Sequence, residues 1–81
     1  MSDLKRPQLR AHLEDLGYLV FVGGPTCFYV ARTNATNVAY YDTKPDATFR
    51  HGWVELPNSA GRIDCSDWLE LVAELQENHR T

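Results

Sequence analysis

Tyr18-Leu19-Val20-Phe21-Val22-Gly23-Gly24-Pro25-Thr26-Cys27-Phe28-Tyr29-Val30-Ala31-Arg32 is the stretch on which the fold turns. Two runs of β-branched, aromatic and aliphatic residues flank Gly23-Gly24-Pro25-Thr26, which is made of turn formers, and the pattern predicts a β-hairpin. Side chains alternate across a strand, so Tyr18, Val20 and Val22 share one face, and Leu19 and Phe21 the other. In the second strand Phe28 and Val30 oppose Cys27, Tyr29 and Ala31. Both faces of both strands are apolar.

Upstream, Pro7 to Leu16 reads as a helix with proline in its first turn, an apolar stripe of Leu9, Leu13 and Leu16, and Gly17 as its stop. Downstream, Thr33–Asn37 is a turn, Val38–Tyr41 a third strand and Asp42–Asp46 a loop. Thr48-Phe49-Arg50 and Trp53–Leu56 read as two short strands or one bulged strand, with Gly52 at the irregularity. Pro57–Gly61 is a turn, and Arg62-Ile63 adds a short extended piece. A last helix, capped at Asp64 or Ser66, carries Trp68, Leu71, Val72 and Leu75 and runs to about Asn78. Short turns between consecutive strands require antiparallel pairing. The expectation is a single two-layer α+β domain over residues 1–81. Its antiparallel sheet of three to five strands is flanked by an N-terminal and a C-terminal helix.

Two helices cover only one face of that sheet. Either the segment 42–63 folds over the other face, or another protein does. Self-association through Phe21, Phe28 and Tyr29, giving a homodimer, satisfies the pattern.

The chain has 81 residues and a net charge of −3. Residues 1–32 hold four basic and three acidic side chains, and residues 33–63 hold three of each. Residues 64–81 hold Arg80 against Asp64, Asp67, Glu70, Glu74 and Glu77. The basic patch of a direct nucleic-acid binder is missing. No apolar run approaches the ~18 residues of a membrane span. The N-terminus lacks the apolar segment of a secretory signal. A cytoplasmic setting with Cys27 and Cys65 as reduced thiols is expected.

On a helix turning about 100° per residue, Asp67, Glu70, Glu74 and Glu77 fall within a sector of about 80°, away from the apolar stripe. Solubilising faces usually alternate sign, because like charges four residues apart repel. A one-sign stripe suits docking on a basic partner, one version being a nucleic-acid-binding protein engaged by mimicry of a phosphate backbone. Function as an inhibitor or adaptor follows from that reading.

Little in the sequence points to catalysis, a cofactor or a metal. Cys27, Cys65, His12, His51 and His79 show none of the usual ligand spacings. Cys65 is flanked by Asp64 and Asp67, which oppose thiolate formation, and reads as a buried structural cysteine. Arg50-His51-Gly52-Trp53 is the most ligand-like segment, because it joins a cation, a titratable ring and a large aromatic beside a glycine. It serves a partner-binding surface. The alternative is a small-ligand site or enzyme accessory subunit built around His51, Trp53 and Cys65.

Overall fold

A computed structural model describes residues 4–32 and 36–80, with Ser59 described by its backbone alone. The turn expected at Thr33–Asn37 falls largely outside them. Helix α1, Arg6–Asp15, begins one residue earlier than the sequence suggests, which places Pro7 at its second position. The Lys5 amide, at the helix N-cap, donates to Gln8 Oε1 at 2.9 Å. Leu9 and Leu13 are buried, and Gly17, at φ 99°, turns the chain directly into the sheet.

Five strands follow: β1 Leu19–Val22, β2 Cys27–Ala31, β3 Asn37–Thr43, β4 Phe49–Glu55 and β5 Arg62–Cys65. They form one antiparallel sheet in the order β1-β2-β3-β4-β5. The segment 42–63 therefore extends the sheet and does not fold over its second face. Residues 49–55 make one strand, and its irregularity lies at Arg50, not at Gly52. Asp42 faces His51 and Thr43 faces Phe49, so Arg50 is the extra residue. Val38 is the corresponding extra residue of β3 opposite β2. Gly52 is in register between Tyr41 and Cys65. It is required there by close approach: a Cβ would stand 2.9 Å from Tyr41 Cβ and collide with the Tyr40 carbonyl.

Helix α2, Trp68–Asn78, is capped by Asp67, whose carboxylate accepts from the Glu70 amide at 2.8 Å. Asp64 and Ser66 do not cap it, since Asp64 belongs to β5 and Ser66 precedes the cap. The two helices and one sheet make a two-layer α+β fold. Val20, Phe28, Val30, Tyr41, Val54 and Cys65 face Leu9 and Leu13 of α1 and Trp68, Leu71 and Leu75 of α2. Tyr41 stacks on Phe28 at 5.1 Å and on Phe49 at 6.1 Å between centroids.

Two polar contacts close the far end of this core. The Tyr18 hydroxyl lies 2.7 Å from the His79 carbonyl and 3.0 Å from that of Leu75, tying the residue before β1 to the last turn of α2. His79 donates from Nε2 to the carbonyl of Glu55 on β4. No helix among the described residues is long and apolar enough to cross a membrane.

Candidate interaction surface

With both helices on one side, the other face of the sheet is left without a covering layer. Register decides what it displays. Phe21 faces Tyr29, Tyr29 faces Tyr40, Tyr40 faces Trp53 and Trp53 faces Asp64. Four aromatic side chains, one from each of β1 to β4, thus stand in a single row across the strands. Directly opposed rings are the closest neighbours a sheet offers. Tyr29 and Tyr40 are 5.3 Å apart between centroids, and Tyr40 and Trp53 stack at 4.4 Å with 26° between planes. The Arg62 guanidinium lies over the Trp53 ring, 4.2 Å from its centroid. Tyr40 and Arg62 approach Trp53 from the strands on either side of β4, so both faces of the indole are occupied.

Hydrogen bonding fixes the middle of the row. The Tyr40 hydroxyl donates to Cys27 Sγ at 3.3 Å, and this bond, helped by burial, pushes the phenol up to about 12. On this face exposure increases toward the β1 edge: Tyr29 is 39% exposed, Leu19 39% and Phe21 47%. Phe28, expected beside Phe21 and Tyr29 in self-association, belongs to the opposite face and is only 5% exposed, so it is not available for contact.

Arg50-His51-Gly52-Trp53 is divided by the pleat. His51 and Trp53 share the open face, with ring centroids 6.4 Å apart. Gly52 faces the helices. Arg50 Nη1 sits 3.7 Å from Asp42 Oδ2. The other Asp42 oxygen, Oδ1, is buried without a hydrogen-bond partner. An open groove of 500 Å³ touches Arg50, His51, Trp53, Arg62, Cys65 and Glu70, so both sequence-derived clusters meet at the β5 side of the domain. Cys65 is not presented there as a reactive group. It is buried, its Sγ lies 3.7 Å from the Ile63 carbonyl, and burial, reinforced by Glu70 and Glu74, pushes its thiol up to about 12. Cys27 and Cys65 are both free thiols. Among the described residues no three His, Cys, Asp or Glu side chains converge as a metal site.

The acids of the α2 stripe face away from the core, but three of the four have local work. Asp67 caps the helix, and Glu70 Oε1 accepts from the Ser66 amide at 2.7 Å and hydroxyl at 3.3 Å. Glu74 accepts from Asn78 Nδ2 at 3.2 Å, whereas Glu77 is exposed. The capping contacts give a local reason for acids at the first two positions.

The aromatic row was not legible as a unit in the sequence. Its members are spaced by eight, eleven and thirteen residues, and only the strand registers align them. Tyr40 and Arg62 were missed for that reason. No protein-family model, curated protein or solved structure matches this chain significantly.

Proposed function

We propose that this chain is a protein-interaction domain without catalysis of its own, and that its principal contact surface is the open sheet face centred on Tyr29, Tyr40 and Trp53. The row of four aromatics on an uncovered face carries this reading. Tyr, Trp and Arg are the side chains most often found at energetically dominant interface positions, and stacked rings lose little freedom on binding. The geometry favours a protein over a single-stranded nucleic acid. Base stacking needs a free ring face, and the faces of Trp53 are taken by Tyr40 and Arg62. The exposed rings of the row, Phe21 and Tyr29, suit aliphatic side chains.

Charge defines the partner further. Of the cations at the β4–β5 end, Arg50 is held by Asp42 and Arg62 by the Trp53 ring. Glu55 and Asp64, on the same face, make no ion pair among the described residues. The complementary surface is therefore an apolar centre framed by Lys or Arg. The acidic face of α2, whose Glu70 borders the groove beside Arg50, His51 and Trp53, steers such a partner at long range, and the sheet face docks it.

A photo-crosslinking amino acid placed singly at Tyr29, Phe21, Glu74 and Glu77, in cells of the source organism, tests this. The same partner should be trapped from Tyr29 and Phe21, and Trp53→Ala should abolish the trapping. A partner trapped from Glu74 and Glu77 alone would make α2 the dock, as a docking stripe for a basic surface, and would overturn the assignment to the sheet.

A further inference from the structure

On the helix side of the sheet, an open groove of 410 Å³ runs between α1 and the β1–β2 hairpin. Pro7 and Ala11 line it from the helix, and Val22, Pro25 and Phe28 from the hairpin, so the groove is mostly apolar. Val22 is 60% exposed, apolar surface that a ligand there would cover. The volume lies within the range of small-molecule sites. Arg6, Arg10 and Glu14, spaced by four along α1, supply the charge.

That charge is not balanced among the described residues. Arg10 Nε lies 3.5 Å from Glu14 Oε2, which pairs these two. Arg6 makes no ion pair among the described residues. Its Nε donates to Thr43 Oγ1 at 2.8 Å and its Nη2 to the Lys44 carbonyl at 3.1 Å. Both acceptors are neutral, so they hold the guanidinium in place and leave its positive charge unmatched. Thr43 is itself buried, and its hydroxyl donates to the Thr26 carbonyl at 3.2 Å. A guanidinium has five N–H donors, and none of these contacts uses Nη1 of Arg6. Arg10 Nη2 reaches the Val20 carbonyl at 3.4 Å, and Nη1 of Arg10 is likewise left over. Two cations against one carboxylate leave the groove one positive charge.

An unpaired hydroxyl lies behind the same wall. Tyr41 is fully buried and stacked on Phe28 at 5.1 Å, and its hydroxyl has no hydrogen-bond partner among the described residues. The charges that act on its phenol are those of Arg10, Glu14 and Arg6, so it lies close to the three charged residues of the groove. A buried O–H without an acceptor is costly, and such groups are rare in folded proteins.

We propose that this groove binds a small organic monocarboxylate, with its aliphatic or aromatic body against Pro7, Val22, Pro25 and Phe28 and its carboxylate on Arg6 and Arg10. One carboxylate matches the one unbalanced charge and accepts from the two spare Nη1 groups. A shift of the Phe28 ring gives it the Tyr41 hydroxyl as a third donor, which supplies the acceptor that hydroxyl lacks. A phosphomonoester, with close to two negative charges, would exceed the balance beside Glu14, and an amine would meet two guanidinium groups. The groove lies on the helix side, so this inference stands apart from the docking role of the open face.

Titration of the isotope-labelled protein with octanoate and with phenylacetate, followed by amide NMR, tests it. Both acids should shift the amide signals of Ala11, Val22 and Gly24 saturably. Octanamide, phenylacetamide and octylamine should bind about tenfold more weakly or worse, because they lack the charge-assisted hydrogen bonds. Ala11→Glu, at an exposed helix position, and Arg10→Gln should each weaken octanoate binding about tenfold, with the fold retained by circular dichroism. Tyr41→Phe removes the unpaired hydroxyl, so the free protein should be at least as stable in urea, while its affinity for octanoate falls. No saturable shift with either acid overturns the proposal. So does equal binding of an acid and its amide, or an affinity for octanoate that is unchanged in both Ala11→Glu and Arg10→Gln, because the groove would then be an apolar cleft indifferent to charge. Unchanged octanoate affinity in Tyr41→Phe overturns the part given to the hydroxyl.

Discussion

Gly52→Ala sets two effects of opposite sign against each other. Replacing a glycine stiffens the unfolded chain and stabilises by ~0.4–1 kcal/mol where the native backbone accepts the change. Here the backbone is extended β4, and conformation is no obstacle. Space is the obstacle. The added methyl would meet Tyr41 Cβ at 2.9 Å and Tyr41 Cα at 3.0 Å, as well as the carbonyl oxygen of Tyr40. None of these is the end of a flexible side chain. β3 is held by β2 on its other side, and Tyr41 is fully buried between Phe28 and Phe49. Relief therefore requires β3 and β4 to part. Overpacking of this kind costs ~1–3 kcal/mol, so the net loss is about 0.5–2 kcal/mol, and Tm falls by about 4–8 °C for each kcal/mol. Urea unfolding should show a lower midpoint with an unchanged slope. The same parting moves Tyr40 from Trp53, now stacked at 4.4 Å, so the near-ultraviolet dichroism of the folded state should weaken. A Gly52→Ala protein as stable as the parent, with an unchanged aromatic spectrum, would refute the account of this position.

Tyr18→Phe removes the hydroxyl that meets the Leu75 and His79 carbonyls. It should cost about 1–3 kcal/mol in urea unfolding and raise amide exchange in the last turn of α2 before that of the sheet. Raising the pH should unfold the protein. Burial lifts the thiol of Cys65 to about 12, and the bond to Cys27 with burial lifts the phenol of Tyr40 to about 12. Burial also raises Tyr18 and Tyr41. The stabilisation these neutral groups give is complete below the ordinary values of 9.0 and 10.0, and is lost progressively toward about 12, because only the unfolded chain ionises in that window. Thermal melts between neutral pH and pH ~11 should show Tm falling once the pH passes the ordinary thiol value, whereas a flat profile would contradict it. Native Cys65 should also resist thiol reagents at pH ~8 and react once the chain is unfolded.

The sequence was informative wherever a single element carried its own period. Leu9 and Leu13, and Trp68, Leu71 and Leu75, mark the covered faces of α1 and α2, and all five are buried. Alternation in the hairpin separates Val20 and Val30, which are buried, from Phe21 and Tyr29, which are not. Legibility fails where long-range contacts decide. β4 carries Arg50, His51 and Gly52 in its centre, all weak strand signals. The glycine is explained only by the close approach of β3 across the ladder, where a methyl would meet the Tyr40 carbonyl and Tyr41 Cβ. The turn at Pro57–Gly61, with Asn58 at φ 62° and Gly61 at φ 109°, and an extended piece at Arg62-Ile63 are legible, but the continuation of β5 through Cys65 is not. The cap falls at Asp67 and not at Asp64 or Ser66, because β5 continues through Cys65.

The acidic helix and the aromatic row show why charge alone is a poor guide to the site. The stripe of Asp67, Glu70, Glu74 and Glu77 is visible from spacing within one helix, and much of it has a local cause in the Asp67 cap and the Ser66–Glu70 bonds. The row is invisible from spacing; its inner members hold one another through the Tyr40–Trp53 stack and the Tyr40–Cys27 bond, whereas its outer members Phe21 and Tyr29 stay exposed. Phe21 and Tyr29 contribute nothing to the helix-facing core, and a sheet of this topology closes equally well with polar residues there, as antiparallel sheets commonly do. Leaving large apolar side chains in water gives up ~1.5–3 kcal/mol per residue of burial they would otherwise gain. A complex that covered Phe21 and Tyr29, as proposed above, would recover part of it. Phe21 and Tyr29, the most exposed members of the row, are therefore where the proposed contact is tested first.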